Sequence, residues 1–232
     1  MINSKTILAI ITARKGSTRL RDKNLLELNE KPLILWTVEE AIKSNYIDKI
    51  VLSTDHKKII DLVKEYNDIE IPFVRPKELS NDTASSVDVI KHALNYYKEL
   101  GLSFDYVMLL QPTSPLRIKE DIDNSIKQLS NEFKSVVSVC ETDHSPLWCN
   151  KLPKNKSMKN FLSNSIKNLR SQELPIYYRL NGAVYISEVE YFLNSNGFFG
   201  DKTKAYIMPQ ERSIDIDSKL DMIIAESIFK SK

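Results

Sequence analysis

Only two cysteines, Cys140 and Cys149, occur in 232 residues, and neither stands in a zinc-ligand spacing. That argues against a disulfide framework and a thiolate metal site, and leaves two incidental or buried thiols. No apolar stretch approaches the roughly 20 residues that cross a bilayer. The run Ile7 to Ile11 is too short for the core of a signal peptide and leads into Arg14 and Lys15 rather than a cleavage site. A reducing, cytoplasmic setting with no membrane partner is therefore expected. The net charge is only +2, so a general nucleic-acid binder is not expected and any basic chemistry must be local. Two glycine fingerprints are also missing. There is no Gly-x-x-x-x-Gly-Lys-Ser/Thr phosphate loop and no Gly-x-Gly-x-x-Gly dinucleotide turn. The second absence weakens a nicotinamide oxidoreductase. No internal repeat and no low-complexity tail interrupt the chain.

What is present is the balance of an ordinary globular protein, 42% hydrophobic and 28% charged, with enough chain for one sizeable core. The first half alternates short apolar runs with amphipathic periods. Ile7 to Thr12, Ile50 to Ser53, Ile71 to Val74, Tyr106 to Leu110 and Val136 to Cys140 read as strands buried on both faces. Between them, Ile34/Val38/Ala41/Ile42, Ile59/Ile60/Val63/Tyr66, Val87/Ile90/Leu94/Tyr97 and Ile122/Ile126/Leu129 recur at helical spacing. Repeated strand–helix–strand units imply an α/β, Rossmann-like, mostly parallel sheet with helices on both faces. Residues 141–178 then lose any clean period and are rich in Asn, Lys, Ser and Pro, too long a stretch for a bare loop. Ala183 to Ser187 and Ala205 to Met208 read as late strands. Leu220, Ile223, Ile224 and Ile228 close the chain as a helix. One domain spanning 1–232, with an inserted arm at about 141–178, is the expected organisation.

Two features carry chemistry. Five of the eleven residues from Arg14 to Asn24 are cationic, with Gly16 and Ser17 interleaved. In open α/β sheets ligands sit beyond the carboxyl ends of the strands, and this loop follows the first strand. It suits a triphosphate; the alternative is a solvated charged loop. Further on, Ser213 to Asp217 reads as extended. Asp215 and Asp217 then share one side while Ile214 and Ile216 face the core. Two adjacent carboxylates repel unless a cation compensates, and oxygen-only ligands suit Mg²⁺ with phosphate oxygens completing the shell. Asp217 as N-cap of the last helix is the competing role.

With these in place, the chain resembles the acylneuraminate cytidylyltransferases, the CMP-sialic acid synthetase family. The resemblance spans nearly the whole sequence. It is carried by Ala13-Arg14-Lys15-Gly16-Ser17, Lys23-Asn24, Ser53-Thr54-Asp55, Arg75-Pro76-x-Glu78-Leu79 and Asp82-Thr83-Ala84-Ser85-Ser86. Leu110-Gln111-Pro112-Thr113-Ser114-Pro115-Leu116-Arg117, Arg179-x-Asn181-Gly182-Ala183 and Ser213 to Asp217 complete it. It implies a nucleotidyltransferase-type α/β domain with a dimerisation arm, and hence a homodimer. It implies a reaction in which the anomeric oxygen of an acidic 2-keto sugar attacks the α-phosphorus of CTP.

Carried over by position, the resemblance makes Arg14, Lys23 and Asp217 catalytic. It assigns Arg14, Lys23, Asn24, Arg75, Ala84 and Ser86 to the nucleotide, with backbone groups of 82–86 reading the base edge. Gln111, Arg179, Asn181, Tyr185, Phe198 and Phe199 fall on the sugar side, Gln111 touching both substrates. Asp215 and Asp217 become Mg²⁺ ligands. Each position has a plainer reading too: Phe198-Phe199 as core, Tyr185 as an inward strand residue, and Arg75 as a surface partner of Glu78.

Two departures bear on the sugar. Trp148 stands where several sialic acid members carry Lys. An indole packs against an acetamido or deoxy group, which points to a legionaminic-type sugar. Ser171 stands where members carry Arg, with Arg170 one step earlier. The loop Ser17-Thr18-Arg19-Leu20 is also similar to CMP-Kdo synthetases, although 82–86 and 179–183 follow the acylneuraminate pattern. A catalytically silent sugar-nucleotide binder remains the alternative of a different class.

Overall fold

A computed structural model describes residues 4–16 and 20–231; the expectations placed on Ser17, Thr18 and Arg19 lie outside them. Among the described residues, nine strands and six α-helices follow in chain order. They are β1 (Ile7–Ala13), β2 (Glu27–Leu28), β3 (Lys31–Pro32), α1 (Leu33–Ile42), β4 (Lys49–Thr54), α2 (Lys57–Val63), β5 (Ile69–Glu70), α3 (Ser86–Glu99), β6 (Tyr106–Leu110), α4 (Lys119–Ile126), β7 (Ser135–Glu141), β8 (Tyr178–Glu188), α5 (Val189–Asn194), β9 (Thr203–Ile207) and α6 (Lys219–Lys230). The main sheet has the order β5-β4-β1-β6-β8-β7-β9. Every neighbouring pair is parallel except those made by β8, which alone runs the other way.

The apolar runs explain this sheet. Along β1, Ile7, Ala9, Ile11 and Ala13 join the core on one face with α1, α2 and α4. Leu8 and Ile10 point to the other face, against α3 and Phe192 of α5. A strand covered on both sides needs no polar alternation. α3 starts where Ser85 caps it, its side chain accepting the Asp88 N–H at 3.1 Å. A third cluster holds the β2–β3 hairpin and α6 together through Leu28, Leu33, Leu116, Ile216 and Ala225.

Two expectations about local structure are corrected. The strand placed at Ile71 to Val74 is instead β5 at Ile69–Glu70. Pro72 offers no N–H to a ladder and restricts Ile71, so pairing stops before it. The N-cap of α6 is Ser218, not Asp217. The Ser218 side chain accepts from Asp221 N–H, and the Asp221 carboxylate accepts from the Ser218 backbone N–H at 2.6 Å.

β1 pairs with β4 on one side and β6 on the other, so the chain order switches direction there. A crevice opens at such a point, outside the strand carboxyl ends. Because β8 is reversed, its first residues lie at that same end. So does the segment 142–177, which leaves β7, returns at β8, and is closed at its base by the Thr142 N–H donating to the Tyr177 carbonyl at 2.9 Å. It is irregular apart from single 3-10 turns at Pro146–Trp148 and Ser171–Glu173. It leaves Leu152, Met158 and Ile176 more than half exposed. Among the described residues, no helix is long and apolar enough to cross a membrane.

Candidate active site

The crevice holds a cavity of about 460 Å³ at the ends of β1 and β6. Arg14, Lys23, Asn24, Arg75, Ala84 and Ser86 all line it, together with Gln111, Asp215 and Asp217. Thr12, Asn81 and Thr113 line it as well, three positions that received no individual role from sequence.

Each cation is held by its own element. Arg14 follows β1, and its guanidinium pairs with Asp82 across the cavity mouth. Behind it the Lys15 N–H donates to Asp55 Oδ1 at 2.7 Å, tying the loop to the end of β4. Lys23 opens a 3-10 turn. Its Nζ donates to Asp217 Oδ1 at 2.8 Å and to the Ile216 carbonyl at 2.7 Å. Arg75 is buried rather than paired at the surface; its Nε donates to Ser53 Oγ at 3.0 Å and its Nη2 to the Ser53 carbonyl. Burial, with the nearby Arg14 charge, pulls the Arg75 guanidinium down to about 10, against the opposing pull of Asp55. A buried cation with a lowered pKa gains from an arriving anion.

The acidic segment, expected as extended, belongs to no strand. Ile216 is fully buried, and Ile214 packs against the same cluster. The Ile216 N–H donates to the Thr113 carbonyl at 2.7 Å. Their alternation turns Asp215 and Asp217 toward the cavity. Asp215 Oδ1 is buried with no hydrogen-bond partner. Burial raises the Asp215 carboxyl above its ordinary value, helped by the Asp217 and Asp221 charges; the Thr113 hydroxyl and Lys23 oppose the shift. An orphaned carboxylate oxygen beside a second carboxylate fits a hard divalent cation. No third His, Cys, Asp or Glu joins the pair among the described residues. Phosphate and water oxygens would have to complete such a shell. Asn24 Oδ1 is likewise buried and unpartnered.

The 82–86 segment presents less backbone than its sequence suggests. The N–H groups of Thr83 and Ala84 both donate to Asn81 Oδ1 at 2.9 Å, so neither is free for a ligand.

A second cavity, about 260 Å³, adjoins the first and shares Ser86 and Gln111 with it. Val87, Leu109, Tyr185, Phe198 and Phe199 supply an apolar, aromatic wall. The two phenylalanines divide. Phe198 is 5% exposed and packs on Phe192 at 4.9 Å, whereas Phe199 is 56% exposed at the rim. Burial raises the Tyr185 hydroxyl above its ordinary value, and the Asp215 charge adds to the shift. Tyr185 of the aromatic wall thus lies within electrostatic reach of Asp215.

Arg179 and Asn181 line neither cavity. Asn181 is 1% exposed, with its amide donating to Ser213 Oγ at 2.9 Å and accepting from Ser138 Oγ at 2.6 Å. It fastens β8 to the start of the acidic segment. Arg179 is half-buried and donates to the Ser213 carbonyl at 3.4 Å. Trp148, Arg170 and Ser171 also lie off both cavities, in the irregular segment.

A family model described as cytidylyltransferase matches residues 8–228. The chain belongs to the cytidylyltransferase family. It is 34% identical over 97% of its length, and 96% of the relative's, to the CMP-N,N'-diacetyllegionaminic acid synthase of Legionella pneumophila. It is 31% identical to a pseudaminic acid cytidylyltransferase of Campylobacter jejuni, over 96% of each chain. It is 35% identical to an N-acylneuraminate cytidylyltransferase of Escherichia coli, of which it spans 52%. Among solved structures, a CMP:2-keto-3-deoxy-manno-octonic acid synthetase complexed with CTP superposes with a TM-score of 0.69 over 97% of this chain and 99% of that one. At 14% identity that likeness shows the shared α/β nucleotidyltransferase fold alone.

Proposed function

We propose that this cytidylyltransferase joins CTP to a nonulosonic acid of the sialic or legionaminic type, giving the CMP-sugar and pyrophosphate. One observation carries the reading. A cavity bordered by three cations and two carboxylates adjoins an aromatic-walled cavity, and Gln111 faces both. Relatives named for legionaminic, sialic and pseudaminic acids support the sugar class.

In this reading Arg14 and Lys23 hold the triphosphate. Asn24, Arg75 and Ser86 hold the cytidine part, and Ala84 shapes its pocket. Asp215 and Asp217 would hold Mg²⁺, which when bound supplies compensation for phosphate charge. The sugar's anomeric hydroxyl oxygen forms a bond to the α-phosphorus and gives up its proton to solvent, while the bond to the pyrophosphate oxygen breaks and pyrophosphate leaves. No covalent enzyme intermediate is needed, so the protein acts by positioning and charge neutralisation. Arg14 leaves Asp82 to meet phosphate. Lys23 spans Asp217 and the developing charge. Gln111 fixes the two substrates against each other. Tyr185, Phe198 and Phe199 receive the acyl-bearing part of the sugar, a wall better suited to acetamido and deoxy groups than to hydroxyls. Arg179 retains guanidinium donors for the sugar carboxylate from beside the acidic segment. Asn181 acts one step back, by holding Ser213.

The exposed apolar residues of 142–177 favour a homodimer in which this arm packs against a second copy. Sedimentation as a monomer at micromolar concentration would contradict that part.

The direct test is incubation with CTP, Mg²⁺ and a panel of sialic, legionaminic and pseudaminic acids, read by mass spectrometry. A CMP-sugar with stoichiometric pyrophosphate is expected, legionaminic acid being the best acceptor. Sialic acid turned over about tenfold better than the others would refute the legionaminic preference. CTP binding with no product from any acid would favour the silent binder.

A further inference from the structure

Gly182 lies within the antiparallel strand β8, at φ +72, where its pairing with β7 shifts register. A Cβ built there would lie 2.7 Å from Gln111 Oε1, 3.8 Å from Gln111 Cδ and 3.5 Å from Ser114 Oγ. The first distance is a collision and the others are ordinary contacts. The missing side chain at 182 is thus the space in which the Gln111 amide rests.

The Gln111 backbone cannot move aside to relieve a collision. Its carbonyl accepts from Arg117 Nη1 at 3.2 Å and from Thr37 Oγ1 at 3.4 Å. Arg117 is 1% exposed and also donates to the Ala183 carbonyl at 2.7 Å, clamping β6 to β8 next to Gly182. The Ser114 Oγ donates to the Asn181 carbonyl at 3.2 Å, a second tie between the same loops. Only the far end of the Gln111 side chain is loose enough to yield. Beyond the strain of any side chain at positive φ, a methyl group at 182 would therefore act chiefly by relocating the Gln111 amide, which lines both cavities.

We infer that Gly182 is a positioning residue for Gln111: its lack of a side chain sets where the Gln111 amide stands between nucleotide and sugar. The inference rests on the cytidylyltransfer reading for its consequence in rate, but not for its geometry.

A control is available in the same molecule. Gly101 has nearly the same φ, +75, with no atom within 4 Å of a built Cβ. Gly101→Ala carries the cost of a left-handed alanine without any collision. The experiment compares Gly182→Ala, Gly101→Ala, Gln111→Ala and the Gly182→Ala/Gln111→Ala pair by thermal melting and steady-state kinetics. Both glycine variants should melt within a few degrees of each other. Gly182→Ala alone should lose about a hundredfold in kcat, the scale of a misplaced reacting group. Its KM for CTP, set mainly by the cationic loop, should move by less than about threefold. In the Gln111→Ala background the same change should cost no more than about twofold, because the colliding atoms are gone. Equal kcat for Gly182→Ala and Gly101→Ala would overturn the inference. So would an undiminished loss in the Gln111→Ala background.

If Gly182→Ala fails to fold alone but folds in that background, the collision with Gln111 is established; failure in both overturns it. Wild-type protein that releases no pyrophosphate sinks the cytidylyltransfer reading instead. In that case the ¹⁵N side-chain amide signal of Gln111 still decides the geometry. It should shift in Gly182→Ala and not in Gly101→Ala, and an unmoved signal would overturn the placement.

Discussion

Lys23 Nζ stands 2.8 Å from Asp217 Oδ1 and 2.7 Å from the Ile216 carbonyl oxygen, joining the loop after β1 to the segment before α6. The cation and the carboxylate lie at one cavity from distant parts of the chain. A magnesium-bound triphosphate needs both kinds of group on one side of the sheet.

Asp217→Asn keeps the shape of that contact and removes its charge. Turnover should fall about a hundredfold, the effect of removing one transition-state electrostatic contact. The pair is partly exposed, with 11% and 43% of the two side chains accessible. Its loss should move the melting point by no more than about 2 °C. Wild-type rates in this variant would remove Asp217 from the chemistry.

Asp215 offers a pH test. Its carboxyl is raised in the folded protein, mainly by burial. The native state therefore holds that proton more tightly than the unfolded chain does. The associated stability is fully present below the ordinary value of 3.8 and is lost as pH rises through the raised one. Without metal, Asp215→Asn should melt higher than wild type at neutral pH. That gain should vanish as the pH falls below the ordinary carboxylate range. A gain independent of pH, or a lower melting point at pH 7, would show that the carboxylate is not held at a cost.

Arg14 and Asp82 are paired in the free protein, with side chains 33% and 63% exposed. The pair must part if Arg14 is to meet phosphate. Asp82→Asn should release it and lower KM for CTP by about two- to fivefold at low salt, the range of an exposed ion pair. The gain should shrink as ionic strength rises. A raised KM would mean that Asp82 itself holds the nucleotide.

Phe198 and Phe199 should respond oppositely. Phe198 lies in the core beside Tyr185 and Phe192, so its change to Ala should cost about 3–5 kcal/mol of stability. Phe199 is 56% exposed; its change to Ala should leave melting nearly unchanged and raise KM for the sugar. Chemical denaturation and acceptor kinetics on both variants check this. Similar stability losses in the two would place Phe199 in the core as well.

The parts of the fold that follow from local patterning were readable in advance. The strand expected at Tyr106 to Leu110 has those bounds, because a short β-rich run ends where Gln111-Pro112 begins. β5 was displaced because Pro72 breaks an apolar run that looks continuous by hydrophobicity. In the site, Asp215 and Asp217 could be aimed from the alternation with Ile214 and Ile216. Asn181 could not be placed, since whether a strand residue faces a ligand or a neighbouring strand depends on what packs beside it; here Ser138 and Ser213 occupy its amide. Likewise the exposure of Phe199 beside buried Phe198, the burial of Arg75 and the closeness of Gly182 to Gln111 arise from tertiary placement. No local spacing encodes them.

On the proposed reading, Arg14 and Lys23 on one side and Asp215 and Asp217 on the other hold one magnesium-bound CTP between them. Calorimetric titration of CTP into wild type and the Asp215→Asn/Asp217→Asn double variant, each with Mg²⁺ and with a chelator, tests it most directly. Tight, Mg²⁺-dependent binding by wild type, lost in the double variant, is predicted. Equal binding of CTP by both proteins, with Mg²⁺ or without, would contradict it.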